Sequence, residues 1–249
     1  MNKIQQRLAE QLEYFTNDFA AEPIGIFLYG SQNYNLSDAD SDVDACIIFI
    51  PPAEDRNGTM GLERDLPNGE RLLAYPLLGF YTGLVHSHFT MLELLFTEHY
   101  IINPKYENFW NTLRSKQEQI ARISETQWYA SILSRVKDTI YRRENEMQYD
   151  KDMINKVGYA TKPRYHFVRM AQLLEKYVDG KSYTEVLDGS EQAELLIAIK
   201  RGQYSQEEAD RYADMAIDKI NSLLASATPA PDNLPLQREL FILIYQLLK

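Results

Sequence analysis

Cysteine is almost missing from this chain: Cys46 stands alone among 249 residues. One thiol excludes an internal disulfide framework and a multi-cysteine zinc site, and it suits a reducing compartment. Long apolar runs are missing too. The longest candidate, Leu236 to Leu248, is broken by Gln237, Arg238, Glu239 and Gln246, so it reads as a packing helix and falls short of the roughly eighteen apolar residues of a membrane span. The opening MNKIQQRLAEQLEYF mixes charge with apolar residues and lacks the continuous core of a signal peptide. These features lead us to expect a cytoplasmic protein with no membrane partner. Positive charge is also short, with 26 Lys and Arg against 36 Asp and Glu, a net charge of -10. That balance excludes broad nonspecific wrapping of nucleic acid, which depends on clustered cations, but it leaves room for a local basic groove.

Aromatic residues are plentiful, with 17 tyrosines, and 45% of the chain is hydrophobic, the composition of an ordinary globular protein. The length points to two domains. Ile4, Leu8, Leu12 and Phe15 mark an amphipathic helix that ends before Pro23. Ile24 to Tyr29 reads as a buried strand stopping at Gly30, and a second strand runs from about Asp42 to Ile50, where Pro51-Pro52 stops it. Pro67-Asn68-Gly69 lies between two semi-apolar arms as a hairpin turn would. Leu77 to Val85 reads as a helix. Phe89 to Phe96 fits either a strand or a helix start, since periodicity alone does not separate them. From about Thr126 the texture becomes helical, with candidates at Gln127–Gln148, Lys162–Val178, Gln192–Lys200, Gln206–Leu224 and Leu236–Leu248. The expected class is therefore α+β: a small mixed-sheet domain over 1–123, then an all-helical domain over 124–249.

The stretch LYGSQNYNLSDADSDVD holds four aspartates at alternate positions, Asp38, Asp40, Asp42 and Asp44. Side chains two apart on a strand share a face, so Asp42 and Asp44 project together at the rim of the second strand, with apolar Cys46, Ile48 and Ile50 behind them. Paired carboxylates suit a hard divalent cation such as Mg²⁺, which takes oxygen ligands from one or two acids and from substrate phosphates. Gly30, having no side chain, lets phosphate oxygens approach the backbone, and Ser31 adds a hydroxyl. A calcium loop is excluded because its sixth and twelfth positions would be Val43 and Phe49. A Walker-type loop is excluded because no Gly-Lys-Ser/Thr follows the first strand. His86, His88 and His99 are too loosely spaced to argue for zinc.

A strand ending in Gly-Ser, ten intervening residues, then Asp-Val-Asp opening the next strand resembles the signature of the DNA polymerase beta nucleotidyltransferase superfamily. A narrower resemblance, carried by GSQNYNLSDADSDVDACIIFIPP, AYPLLGFYTGLVHSHFTMLELLF, KPRYHFVRM and LLIAIKRGQYS, is to predicted nucleotidyltransferases associated with RNA ligases. Gly79 and Ser87-His88 depart from that pattern, which normally has a lysine and an Asn-Pro in those regions.

The resemblance implies that Gly30 and Ser31 bind a nucleoside triphosphate such as ATP, and that Asp42 and Asp44 hold Mg²⁺ or Mn²⁺. It further implies transfer of a nucleoside monophosphate to an acceptor hydroxyl with release of pyrophosphate. The acceptor is left open among an RNA 3′ end, a small molecule and a protein. Superfamily members usually supply a third acid, and here two candidates stand: Glu93, set among apolar neighbours in FTMLELLF, ranked slightly ahead of Glu70 on the return arm of the hairpin. Lys162, His166 and Arg169, spaced four and three apart, match the resemblance's Lys-x-x-x-His-x-x-Arg helix and line up as three potential cations for the triphosphate. The rival expectation is a catalytically inactive nucleotide- or RNA-binding module of the same fold.

Overall fold

The computed structural model describes residues 3–37, 43–66, 70–146 and 150–249. The chain divides into two compact units: one comprises 1–33, 37–128 and 230–249, the other 34–36 and 129–229.

The first unit is built on a five-stranded mixed sheet. Its strands are β1 (Glu22–Leu28), β2 (Ala45–Ile50), β3 (Leu62–Asp65), β4 (Arg71–Pro76) and β5 (Tyr100–Ile102), in the order β3-β4-β2-β1-β5. Strands β2 and β4 run parallel, and the other neighbours are antiparallel. The central strand β2, ACIIFI, is buried along its whole length, which is why it reads as unbroken apolar sequence rather than as alternation. Gly25 sits where β5 crosses closest, since a Cβ there would lie 2.8 Å from the Ile101 carbonyl oxygen.

Helix α1 (Lys3–Asp18) covers one face of the sheet, burying Leu8 and Phe15 against Ile26, Leu28, Ala45, Ile47, Phe49, Leu72 and Ala74. On the chain between β4 and β5 lie α2 (Leu77–Val85) and α3 (Phe89–Phe96), and after β5 come α4 (Glu107–Arg114) and α5 (Gln117–Ala121). The open reading of 89–96 thus resolves as a helix. Strand Phe27 stacks at 4.2 Å on Trp110 of α4, with Phe80 of α2 also against that indole, so aromatic packing fills the second layer.

The second unit contains α6 (Glu125–Glu144, which begins in the first unit), α7 (Lys151–Val157), α8 (Thr161–Val178), α9 (Tyr183–Leu187), α10 (Ala193–Lys200) and α11 (Gln206–Ser226). Helix α8 is its core. Ala209, Ala213 and Ala216 of α11 are buried at spacings of four and three, and these small side chains let the two helices approach closely. Arg164 of α8 is buried and ion-paired to both Glu146 and Asp210. Ala160 occupies the cap position of α8, and the Thr161 hydroxyl donates to the Lys200 carbonyl at 2.9 Å. Helices α9 and α11 start with full capping boxes, Ser182/Glu185 and Ser205/Glu208. Ser205→Ala should therefore cost about 1 kcal/mol, read as a lower urea midpoint at unchanged slope.

The expected division at 123/124 also needs amending. The last helix, α12 (Leu234–Leu248), belongs to the first unit: Phe241 meets Tyr81 of α2 edge-on at 5.8 Å, and Arg56 donates to the Leu248 carbonyl at 2.8 Å. Its start is tied to the chain just before α6, where the Ser124 hydroxyl donates to Asp232 at 2.7 Å and the Asn233 amide to the Ile123 carbonyl at 2.9 Å. No described helix is long and apolar enough to cross a membrane.

Candidate functional site

The corner after β1 is made by Gly30, whose φ of +88° is a left-handed conformation that favours glycine. A 3₁₀ turn, Ser31–Tyr34, follows at once, closed by the Asn33 amide donating to the Gly30 carbonyl at 2.9 Å. A Cβ here would also lie 2.9 Å from Asp44 Oδ2, the end of a side chain. The Asp44 carboxylate therefore reaches over the corner, while its own carbonyl accepts from the Tyr29 amide at 3.0 Å and continues the β1–β2 ladder. Asp42, which alternation places beside Asp44, lies outside the described residues, as do Asp38 and Asp40.

Glu93 approaches the same corner from α3. It is 2% exposed, and its Oε1 accepts from the Gly30 amide at 2.5 Å and from Asn33 Nδ2 at 3.2 Å. A buried carboxylate needs such donors to remain charged. Asn33 was not singled out by the sequence, yet it fixes the corner: Nδ2 also donates to the Leu28 carbonyl at 2.8 Å, and Oδ1 accepts from the Thr97 hydroxyl at 2.8 Å. Its only sequence signal is an amide side chain two residues beyond Gly-Ser, in a position that suits turn chemistry. Tyr29 was missed as well. Its hydroxyl is pushed well above the usual phenol range by burial and then by Asp44, Cys46 and Glu93, which places it among both carboxylates. The Cys46 thiol is likewise raised by burial, then by Glu93, and is therefore an inert core group.

Glu70 does not join this cluster. Leu72 pairs with Ala45 in the parallel β2–β4 ladder, and both face α1, as do Val43 and Ala74. Glu70, two residues before Leu72, turns to the same side and is held by α1: Arg7 Nη2 lies 2.6 Å and Gln11 Nε2 2.9 Å from its carboxylate. The period of two that separates strand faces thus places Glu70 on the side of the sheet away from Asp44 and Cys46. Of the two candidates for a third acid, Glu93 is the one the fold brings to Asp44.

In the second unit, the lined-up triad of Lys162, His166 and Arg169 is corrected in two places. Arg169 is 4% exposed, and its guanidinium donates to the Leu187 carbonyl, to the Asp188 carbonyl at 3.4 Å and to Gln172 Oε1 at 2.8 Å. It also stacks over the Tyr34 ring at 4.9 Å. Arg169 therefore braces the α8–α9 corner. His166 is exposed but is not a cation at neutral pH: its imidazole is pushed down from 6.5 to about 4 by lost hydration and by Arg135, Arg142 and Lys162.

The sign of the resulting pH dependence follows. The unfolded chain protonates His166 first, so its contribution to stability is complete above about 6.5 and declines as pH falls towards about 4. An NMR titration should show the His166 ring neutral at pH 5.5. A midpoint above 6.5 would refute this.

Asp44 and Glu93 present oxygen donors only at the Gly30 corner, the ligand type that a hard divalent cation takes. Among the described residues no group of three or more His, Cys, Asp or Glu is arranged around one point.

No protein-family model matches the chain, and no curated protein does. A solved structure, described as a nucleotidyltransferase-like protein from Exiguobacterium sibiricum 255-15, matches with a TM-score of 0.33 and 16% identity over 90% of this chain and 75% of that one.

Proposed function

We propose that the protein is a metal-dependent nucleotidyltransferase, moving a nucleoside monophosphate from a triphosphate such as ATP to an acceptor hydroxyl. The observation that carries this reading is the convergence of Asp44 and the buried Glu93 on the Gly30 corner. Asp42, Asp44 and Glu93 would hold Mg²⁺ or Mn²⁺, which when bound offsets phosphate charge and lowers the pKa of the attacking hydroxyl. The Gly30 corner admits the triphosphate close to the backbone, and the Ser31 hydroxyl donates to a phosphate oxygen. The acceptor oxygen forms its bond to the α-phosphorus as the bond from that phosphorus to the bridging oxygen breaks, and pyrophosphate departs with that oxygen. The hydroxyl proton passes to a carboxylate oxygen of Asp44. Tyr29 and Asn33 position the two acids and do not touch the reacting atoms.

A second reading, a nucleotide-binding module without turnover, is favoured by one observation: Glu93 already accepts from the Gly30 amide, a donor that a phosphate would otherwise use. Incubation with Mg²⁺ and each labelled triphosphate, with and without acceptor RNA, separates the two. Pyrophosphate release supports the transferase, and release that survives Asp44→Asn refutes this site. Saturable nucleotide binding without release supports the module.

A further inference from the structure

We infer that the outer face of α12 is a self-association surface, on which two copies of this chain pack their α12 helices antiparallel about a two-fold axis. Nine large hydrophobic side chains are exposed among the described residues, and four of them, Leu234, Phe241, Ile242 and Tyr245, fall on this one 15-residue helix. Scattered exposure of that kind is ordinary, whereas clustering on one element marks a surface that is covered. The inner face of α12 holds Leu236, Leu240 and Ile244, all buried. A helix that is apolar on both sides belongs between two layers, and the first unit supplies the inner one.

The exposed residues Leu234, Arg238, Phe241, Ile242, Tyr245 and Lys249 recur at helical spacing and form one stripe, about 100° wide at 3.6 residues per turn. Contact along the stripe is direct. Phe241 and Tyr245 stack with their ring centres 5.7 Å apart, Lys249 Nζ lies 5.2 Å from the Tyr245 ring centre, and Phe241 is braced from α2 by Tyr81 at 5.8 Å. Arg56 donates to the Leu248 carbonyl at 2.8 Å and fixes the end of the helix. Glu239, at the margin, is drawn aside to Lys116 at 2.9 Å. The stripe therefore reads as an apolar centre with one cation towards each end, Arg238 and Lys249.

The order of these residues indicates a second copy as the occupant. The stripe is centred between Phe241 and Ile242, and antiparallel pairing about that point sets Phe241 of one copy against Ile242 of the other, Arg238 against Tyr245, and Leu234 against Lys249. Each cation then meets an uncharged residue. Parallel pairing would set Arg238 against Arg238 and Lys249 against Lys249, which like-charge repulsion disfavours. Two-fold pairing of one surface with itself is also the commonest assembly of soluble chains. The area is sufficient for a reversible pair. The four apolar residues are 44–64% exposed and present roughly 400 Å² between them, the size of patch that is often functional on a monomer. With the apolar stems of Arg238 and Lys249, each copy buries on the order of 600 Å², the lower range of specific interfaces, so the dissociation constant is expected to be micromolar. This inference does not depend on the transferase reading.

Sedimentation velocity on the full chain, from about 1 to about 200 μM, should show a monomer–dimer equilibrium. The Ile242→Asp/Tyr245→Asp double variant should weaken it at least tenfold, while Met215→Asp, which also charges an exposed apolar position, leaves it unchanged. Cysteine pairing reads the direction of the helices. In an antiparallel pair, Leu234→Cys and Lys249→Cys each lie about 22 Å from their own counterparts, beyond the reach of a disulfide. Neither variant should cross-link alone, and an equimolar mixture of the two should; the native Cys46 is buried and stays out of the reaction. Should the double variant melt below the parent, the cysteine pattern decides by itself, since its substitutions lie at the ends of the stripe. A chain that is monomeric over the whole range, a dimer that survives the double variant, or cross-linking of either single variant with itself overturns the proposal. A monomer that floats with phosphatidylserine vesicles overturns the second copy in favour of a lipid surface.

Discussion

Asp44→Asn is expected to lower pyrophosphate release by about 10²–10³-fold, the range typical of removing one preorganised electrostatic group from a reacting centre, while the chain melts at the same or a higher temperature. The stability side follows from what the carboxylate does in the fold. Asp44's backbone carbonyl, which an amide side chain leaves in place, makes the ladder bond to Tyr29. The carboxylate itself lies against the Gly30 corner near Glu93, so neutralising it relieves like-charge repulsion. A group that costs stability and supports turnover has the profile of a functional residue. Glu93→Gln keeps an acceptor for the Gly30 amide and should lose activity with little loss of stability. Glu93→Ala orphans that amide and should cost about 1–3 kcal/mol as well. Calorimetry and the pyrophosphate assay on the same three variants check this. Full activity in Asp44→Asn, or a fold that collapses with it, would remove the site.

Arg169→Ala should be the most disruptive single change discussed here for the second unit, at about 3 kcal/mol or more, with the chemistry at Asp44 spared. The substitution leaves the Leu187 and Asp188 carbonyls short of a donor and removes the cation from the Tyr34 ring. Each buried acceptor so deprived costs about 1–3 kcal/mol. Lys176 also donates to the Asp188 carbonyl at 3.0 Å, which moderates the loss at that atom but not at Leu187. Arg169→Lys should restore little, because a single ammonium does not reproduce a planar fork reaching two carbonyls and a side-chain amide. Urea unfolding measures the loss, and pyrophosphate release at a permissive temperature should stay within a few-fold of the parent. Unchanged stability together with a raised KM for triphosphate would instead make Arg169 a nucleotide ligand.

Much of the architecture was legible because it is local. The apolar run into Gly30, the all-apolar β2 and the long helical periods each declare themselves within a dozen residues, and the α+β class with a helical second half follows from them. Phe89–Phe96 stayed open because a short apolar segment satisfies both periods, and its capture in the layer under the sheet is a tertiary event. The placement of α12 had no local signal either. Its apolar face suits either unit, and the bonds from Ser124 to Asp232 and from Asn233 to Ile123 lead it back to the first.

By itself the sequence determined the corner: a residue without a side chain, a hydroxyl, then acids at alternate positions beside a buried strand, because strand periodicity is written residue by residue. Only the tertiary structure chose between Glu93 and Glu70, buried Arg169 and left His166 neutral. Each of these outcomes depends on what a side chain meets from a distant segment: α1 claims Glu70, the α9 corner claims Arg169, and lost hydration, together with the cations of α6 and Lys162, keeps His166 neutral. Sequence spacing fixes which face a residue occupies, whereas partners brought together by folding fix what that face can do.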